Sequence, residues 1–499
     1  MPESFKTRRR DWRVALALAV LGPGLLGLHT WVYCAGVDFS KVDAWRRLWS
    51  DLAQATTAWV RITHGPTPIE VTGPEADVAA RGLILERIAN QGLRATRPLE
   101  RIRKTQPFID ARLGPEAQHY DDRGRAALLT LAFRALGGIA PFLILWLGFL
   151  VAAPVVAWIA LELWAAGRTR AAALTLLLLG LSPFFVESLA LGRYAVGFYL
   201  VAVLSIVPLA LYARLHPAPT LAGLGVRLLA AGLVLAICTF CRSSAAVLWP
   251  GFVMAAWFGV CRVAPAGRRR MTLIAIAAVL LALPSVMVPG AQQSDVWQPI
   301  WEGLGDFDRT HGFTWRDAVA LEAVQKEGVA ELWTPESEAV LRAQVLDTIR
   351  AEPGWYVGIL VRRLLSTVTL WRLWPWTPRD GAFVRGSETP NEGGIGKYWT
   401  YTTTADFFGI GDYSVELPVS LLVTPALVLG LLAYRGQRSG AAREALIVLA
   451  CPALATLILP VIITTAGGQE GQAMALVYLL AAGFLADVLW SRPGSGNEP

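Results

Sequence analysis

Charge is scarce in this chain: 17% of its 499 residues are Asp, Glu, Lys or Arg, where soluble domains carry roughly 25%. With 54% of residues hydrophobic, that shortage excludes an ordinary soluble enzyme and leaves a polytopic membrane protein. Histidine and cysteine are also few, five of each. Cys34, Cys238, Cys241, Cys261 and Cys451 lie in or beside apolar runs, and none is spaced with partner histidines as a metal site would be. Cys238 and Cys241 form a CxxC inside such a run, where they read as small apolar fillers rather than a redox pair. No internal repeat, low-complexity tract or glycine-rich phosphate loop is present. The lack of a repeated half, and of a carboxylate midway along any span, argues against a transporter. Net charge is +7, but the basic residues stand beside hydrophobic runs, so they read as a topology signal rather than a nucleic-acid surface.

What is present is a series of apolar runs. Residues 1–13 hold Lys6, Arg8, Arg9, Arg10 and Arg13, and the run that follows, 14–35, is long enough to span with no cleavage site after it. We therefore expect 1–13 in the cytoplasm and 14–35 as the first transmembrane helix. Residues 36–137 make a first large extracytoplasmic loop. Further helices are expected within 138–289, at 138–163, 171–187, 195–213, 227–241, 244–261 and 271–289. The connectors that then face inward carry Arg168, Arg170, Arg214, Arg227, Arg262, Arg268, Arg269 and Arg270, in agreement with the positive-inside rule.

A second extracytoplasmic loop covers 290–415. Inside it Thr334 reads as an N-cap, Pro335 as the first helical residue and Pro353 as the stop beyond the end. Residues 354–374 are apolar but interrupted by Arg362 and Arg363, so an amphipathic helix at the membrane interface is expected, with Trp371, Trp374 and Trp376 in the aromatic belt. Three last spans fall within 416–490, and 491–499 is a cytoplasmic tail. The sequence thus predicts an all-α polytopic membrane protein of about ten transmembrane helices, with two large extracytoplasmic loops and both termini cytoplasmic.

Chemistry-bearing residues gather on the outer side. His119-Tyr120-Asp121-Asp122-Arg123-Gly124 closes the first loop, just before the chain returns to apolar sequence. Asp121 and Asp122 can supply a general base or ligands for a divalent cation such as Mg or Mn. They can equally serve as an N-cap and first-turn acid. Arg123, Arg193 and Arg242 stand at outer helix ends against the charge trend, where a guanidinium fork suits a phosphate, or snorkels to headgroups. In the second loop Trp297, Trp301, Asp306 and His311 mix aromatic faces with carboxylates and imidazole, a mixture that suits sugar rings and also a packed loop. Glu470, in the last outer connector, is a candidate cavity wall or a polar cap.

This layout resembles the GT-C superfamily of integral-membrane glycosyltransferases, in particular the branch of protein O-mannosyltransferases and lipid A aminoarabinose transferases. The stretches that carry the resemblance are His119 to Gly124, Trp297-Gln298-Pro299-Ile300-Trp301-Glu302-Gly303-Leu304-Gly305-Asp306-Phe307, and Gln469-Glu470-Gly471-Gln472. In that superfamily the acidic motif often lies earlier in the first loop, which leaves Asp38 or Asp43 as alternative counterparts. Gln472 and Ala473 also stand where an arginine and an aromatic residue are common.

The resemblance implies an inverting transfer from a polyprenyl-phosphate sugar, the membrane-bound donor, to a hydroxyl of a lipid, glycan or protein acceptor, in a bacterial inner membrane. Asp121 or Asp122 would serve the acceptor hydroxyl, and Arg123, Arg193 and Arg242 the leaving phosphate. Alternative readings are an O-antigen ligase or polymerase, and a non-catalytic scaffold or transporter.

Overall fold

The computed structural model describes residues 12–35, 124–136, 143–190, 196–264, 296–305, 311–313, 317–332, 334–369, 376–378, 401–407, 412–417, 440–458 and 473–490, together with 269, 430, 461 and 462. Helices carry the fold. In the bundle they are α1 (Trp12–Ala35), α2 (Gly124–Leu136), α3 (Leu143–Ala165), α4 (Thr169–Gly180), α5 (Pro183–Ala190), α6 (Val196–Leu215), α7 (Leu221–Cys241) and α8 (Trp249–Val263). The second loop supplies α9 (Trp297–Gly303), α10 (Asp317–Lys326), α11 (Pro335–Ala351) and α12 (Pro353–Thr369). The bundle closes with α13 (Gly440–Ile458) and α14 (Met474–Trp490). Among the described residues five helical stretches are long and apolar enough to cross a membrane, in α1, α3, α6, α7 and the unit formed by a 3₁₀ turn and α8. The expected spans 271–289 and 416–434 lie almost wholly outside the described residues.

The sequence is apolar on every side of α6, and the structure gives the reason. It is the central helix, packed by α3, α5, α7, α8 and α13. Its span is 89% buried, against 22% for α1 and 39% for α7. A helix hydrophobic all round belongs in the interior, while those that face lipid need only one buried stripe. Small residues set the closest crossings, as expected where packing rather than water drives association. Gly251, Ala255 and Gly259 recur every fourth residue on α8, all buried. A Cβ at Gly251 would overlap the Cys451 carbonyl of α13.

One expected span is divided. The run 171–187 forms α4 and α5, broken at Leu181-Ser182. Pro183 disfavours helical geometry in the residue before it, and the Ser182 hydroxyl caps the new helix by accepting from the Phe185 amide at 3.3 Å.

Polar groups tie one end of the bundle together. Arg168 meets Asp487 at 2.9 Å, and Arg214 donates in parallel to both Glu444 oxygens at 2.8 Å. Arg227 meets the buried Glu162 at 2.6 Å. Arg262 donates to the carbonyls of Ala213 and Arg214 at 3.3 and 2.7 Å. These bonds bring the ends of α3, α6, α8 and α14 beside the starts of α4, α7 and α13. Among the described residues, Arg168, Arg170, Arg214, Arg227, Arg262 and Arg269, which the sequence assigns to inward connectors, therefore share one face.

The second loop folds around its own core of Trp301, Leu304, Phe313, Val324, Leu341 and Ile359. Thr334 caps α11 as the sequence predicts: its hydroxyl accepts from the Ser337 amide at 3.1 Å, and the Ser337 hydroxyl accepts from the Thr334 amide at 3.0 Å. Beyond the helices, β1 (Trp376–Pro378), β2 (Tyr401–Phe407) and β3 (Asp412–Leu417) form an antiparallel sheet, in register Trp376 with Phe407 and Tyr401 with Leu417. This sheet adds to an all-α expectation. Threonine and aromatic residues in 401–407 favour extended pairing.

Candidate functional site

At the ends of these helices away from the arginine-rich face lie three pieces. The first is the start of α2. A Cβ on Gly124 would overlap the Phe240 carbonyl, so only glycine lets α2 begin against the last peptide units of α7. Arg242 follows directly as the cap of α7: its amide donates to the Cys238 carbonyl at 2.7 Å, and its carbonyl accepts from the Ala245 amide at 2.9 Å. An extended backbone at Arg242, φ −152° and ψ 102°, turns the chain into the 3₁₀ turn Ser243–Leu248. Arg125, in the first turn of α2, is 5% exposed. Its signal in the sequence is a cation directly after the Asp-Asp-Arg-Gly run. Arg125 and Arg242 are both engaged with other groups.

The second piece is the junction between the folded loop and the bundle. Arg363 of α12 is fully buried and donates from Nη1 to the carbonyls of Val461 and Ile462, at 3.2 and 3.3 Å, just past the end of α13. Carbonyls beyond a helix C-terminus carry partial negative charge and suit a guanidinium. Val357, Val361 and Leu364 stay exposed on another side of α12. The third piece is β1, which rests against α5.

Within the folded loop, the tryptophan-rich stretch supplies both core and rim. Trp301 is 3% exposed, donates its indole N–H to Gln344 Oε1 at 2.9 Å and meets Phe313 edge-on at 5.2 Å. Its ring is part of the domain's core. Trp297 lies at the start of α9, under the Arg342 guanidinium at 5.7 Å. The Glu338 carboxylate accepts from the amides of Trp297 and Gln298, at 2.8 and 3.2 Å, and so caps α9. His311 is partly exposed, 4.5 Å from the Trp355 ring and 3.5 Å from Glu352. The structure thus brings His311 and Trp301 into one aromatic cluster through Phe313 and sets Trp297 at the opposite end of α9.

Asp121, Asp122, Arg123, Arg193, Asp306 and Glu470 lie outside the described residues, as do Asp38 and Asp43. Among the described residues no group of three or more His, Cys, Asp or Glu side chains is placed to hold a metal ion. Cys238 and Cys241 are buried in the bundle and are not joined in a disulfide. No family model, curated protein or solved structure matches the chain.

Proposed function

We propose that this protein is a membrane glycosyltransferase that moves a sugar from a polyprenyl-phosphate donor to an acceptor hydroxyl on the outer face, with inversion at the anomeric carbon. The observation that carries the proposal is the contact of Gly124 with the Phe240 carbonyl. Asp121, Asp122 and Arg123 precede Gly124 without a gap, and Arg242 follows Cys241. Each of these residues is therefore only a few chain positions from that contact, at about 3.8 Å of chain per position. A carboxylate pair beside arginines is what this transfer needs. The acceptor hydroxyl loses its proton to Asp121 or Asp122 as it attacks the anomeric carbon, and the negative charge growing on the leaving phosphate falls to Arg123 and Arg242. Arg125 adds a buried cation to the same helix start. The folded second loop, with His311, Trp355 and Glu352 on its rim, is the natural wall for the acceptor. The arginine-rich face would then lie in the cytoplasm, as the positive-inside rule asks.

Purified protein in native lipid extract should transfer radiolabelled sugar from polyprenyl-phosphate donors. The Asp121→Asn/Asp122→Asn variant should lose at least 99% of that turnover, a loss of about 3 kcal/mol or more of barrier lowering, with its melting temperature unchanged. Transfer that survives the double change would move the chemistry to the second loop and favour a ligase. No turnover with any donor would leave a scaffold.

A further inference from the structure

At the arginine-rich end, α1, α4 and α14 leave a cleft of about 640 Å³ between them. Leu21 and Leu25 of α1, Leu174 and Leu177 of α4 and Ala486 of α14 form its apolar walls, with Arg170 and Trp490 at the mouth. Leu21 and Leu177 are exposed there. In a bundle that crosses a bilayer, such a cleft opens onto lipid tails.

The mouth differs from the walls. Arg170 stands in the first turn of α4 and donates from Nη1 to the Trp490 carbonyl at 2.8 Å, which pins the guanidinium between the two helices. Its neighbour Arg168 is neutralised by Asp487. Among the described residues the acceptor that Arg170 meets is an uncharged carbonyl, so its own charge is not cancelled there, and the planar fork keeps further donors. Trp490 is 67% exposed, and an exposed indole at a helix end suits contact with headgroups. From Arg170 to Leu177 the helix rises about 10 Å, the depth over which an acyl chain leaves its headgroup.

The geometry points to a binding site for an anionic phospholipid, with one acyl chain in the cleft of α1, α4 and α14 and the headgroup phosphate on Arg170. Basic pockets between membrane helices collect anionic headgroups in this way. A free phosphate would have no use for the apolar cleft.

The test is native mass spectrometry of the full-length, delipidated protein with phosphatidylglycerol, phosphatidylcholine of the same chains, or inorganic phosphate added. Phosphatidylglycerol should be retained about fivefold more tightly than phosphatidylcholine. Arg170→Gln should remove that preference and Arg170→Lys largely keep it. Ala173→Trp, which fills the exposed cleft and leaves the cation in place, should weaken both lipids. Equal retention of the two lipids by the native protein, unchanged retention of phosphatidylglycerol in either Arg170→Gln or Ala173→Trp, or its displacement by phosphate would overturn the assignment.

Discussion

Single side chains inside the bundle are held by groups far away in sequence. Glu162 is 4% exposed and accepts from the Trp158 indole at 3.1 Å and from Arg227 at 2.6 Å, while the Arg227 guanidinium lies 3.8 Å over the Tyr212 ring. Removing one partner of such a pair leaves a buried charge uncompensated, which costs roughly 3–5 kcal/mol. Arg227→Met should therefore lower denaturation stability in detergent by about 3 kcal/mol, and Glu162→Gln/Arg227→Met should recover most of it. A recovery of less than half would mean that the pair acts through something other than charge balance. His216, just past α6, lies against Tyr212 with ring centroids 4.6 Å apart and the planes tilted by 43°. Burial pushes its imidazole below the ordinary 6.5, the Glu162 carboxylate opposes that shift and the Arg227 guanidinium supports it. The unfolded chain then binds the proton at higher pH than the folded one. Stability from this group is complete above pH 6.5 and is lost as pH falls through the lowered folded value. Between pH 7.5 and 5.5 the melting temperature of the native protein should drop more than that of His216→Asn; parallel curves would remove His216 from the account.

At the scale of elements, the start of α2 is the piece on which the proposed activity depends. Gly124→Leu must push α2 away from the end of α7, because the overlapping group is backbone and cannot rotate aside. Sugar transfer should fall at least tenfold, while melting of the remaining bundle shifts by only a few degrees. Equal loss of folding and activity would show that α2 supports the bundle rather than the chemistry. The elements the sequence foretold best are those whose causes are local. Thr334, Ser337 and Pro335 lie within one turn, so the cap of α11 was readable. The break at Leu181-Ser182 was readable in principle from Pro183, but the apolar run across it dominates the pattern. Trp297 and Trp301 looked alike in sequence and, four residues apart, share a face of α9; Trp301 is buried against Phe313, while Trp297, one turn earlier at the helix start, is only partly buried and lies under Arg342.

For the whole molecule, the gathering of connector arginines on one face sets a testable orientation. With the native cysteines replaced, Ala218→Cys should react with an impermeant thiol reagent only after the membrane is opened. Glu327→Cys, on the folded loop, should react in intact cells. Labelling of both from the same side would break the proposed topology. Arg363 bears on the same question, since it fixes α12 to the end of α13 and gives that helix one polar attachment and one exposed apolar stripe, Val357, Val361 and Leu364. An interfacial helix has that division.

The membrane character, the apolar runs, the arginine bias of the connectors and the capped helix of the second loop were determined by the sequence itself, because composition, hydrophobic length and capping act over a few residues. The acidic run at Asp121-Asp122 was visible there as a candidate too. Only tertiary structure decided that α6 is the central helix, that Glu162 holds Arg227, that Gly124 meets Phe240 and that Arg363 is buried against carbonyls 98 and 99 residues away. Those contacts join segments whose separation along the chain carries no periodic signal, and their energy exists only once the helices have packed.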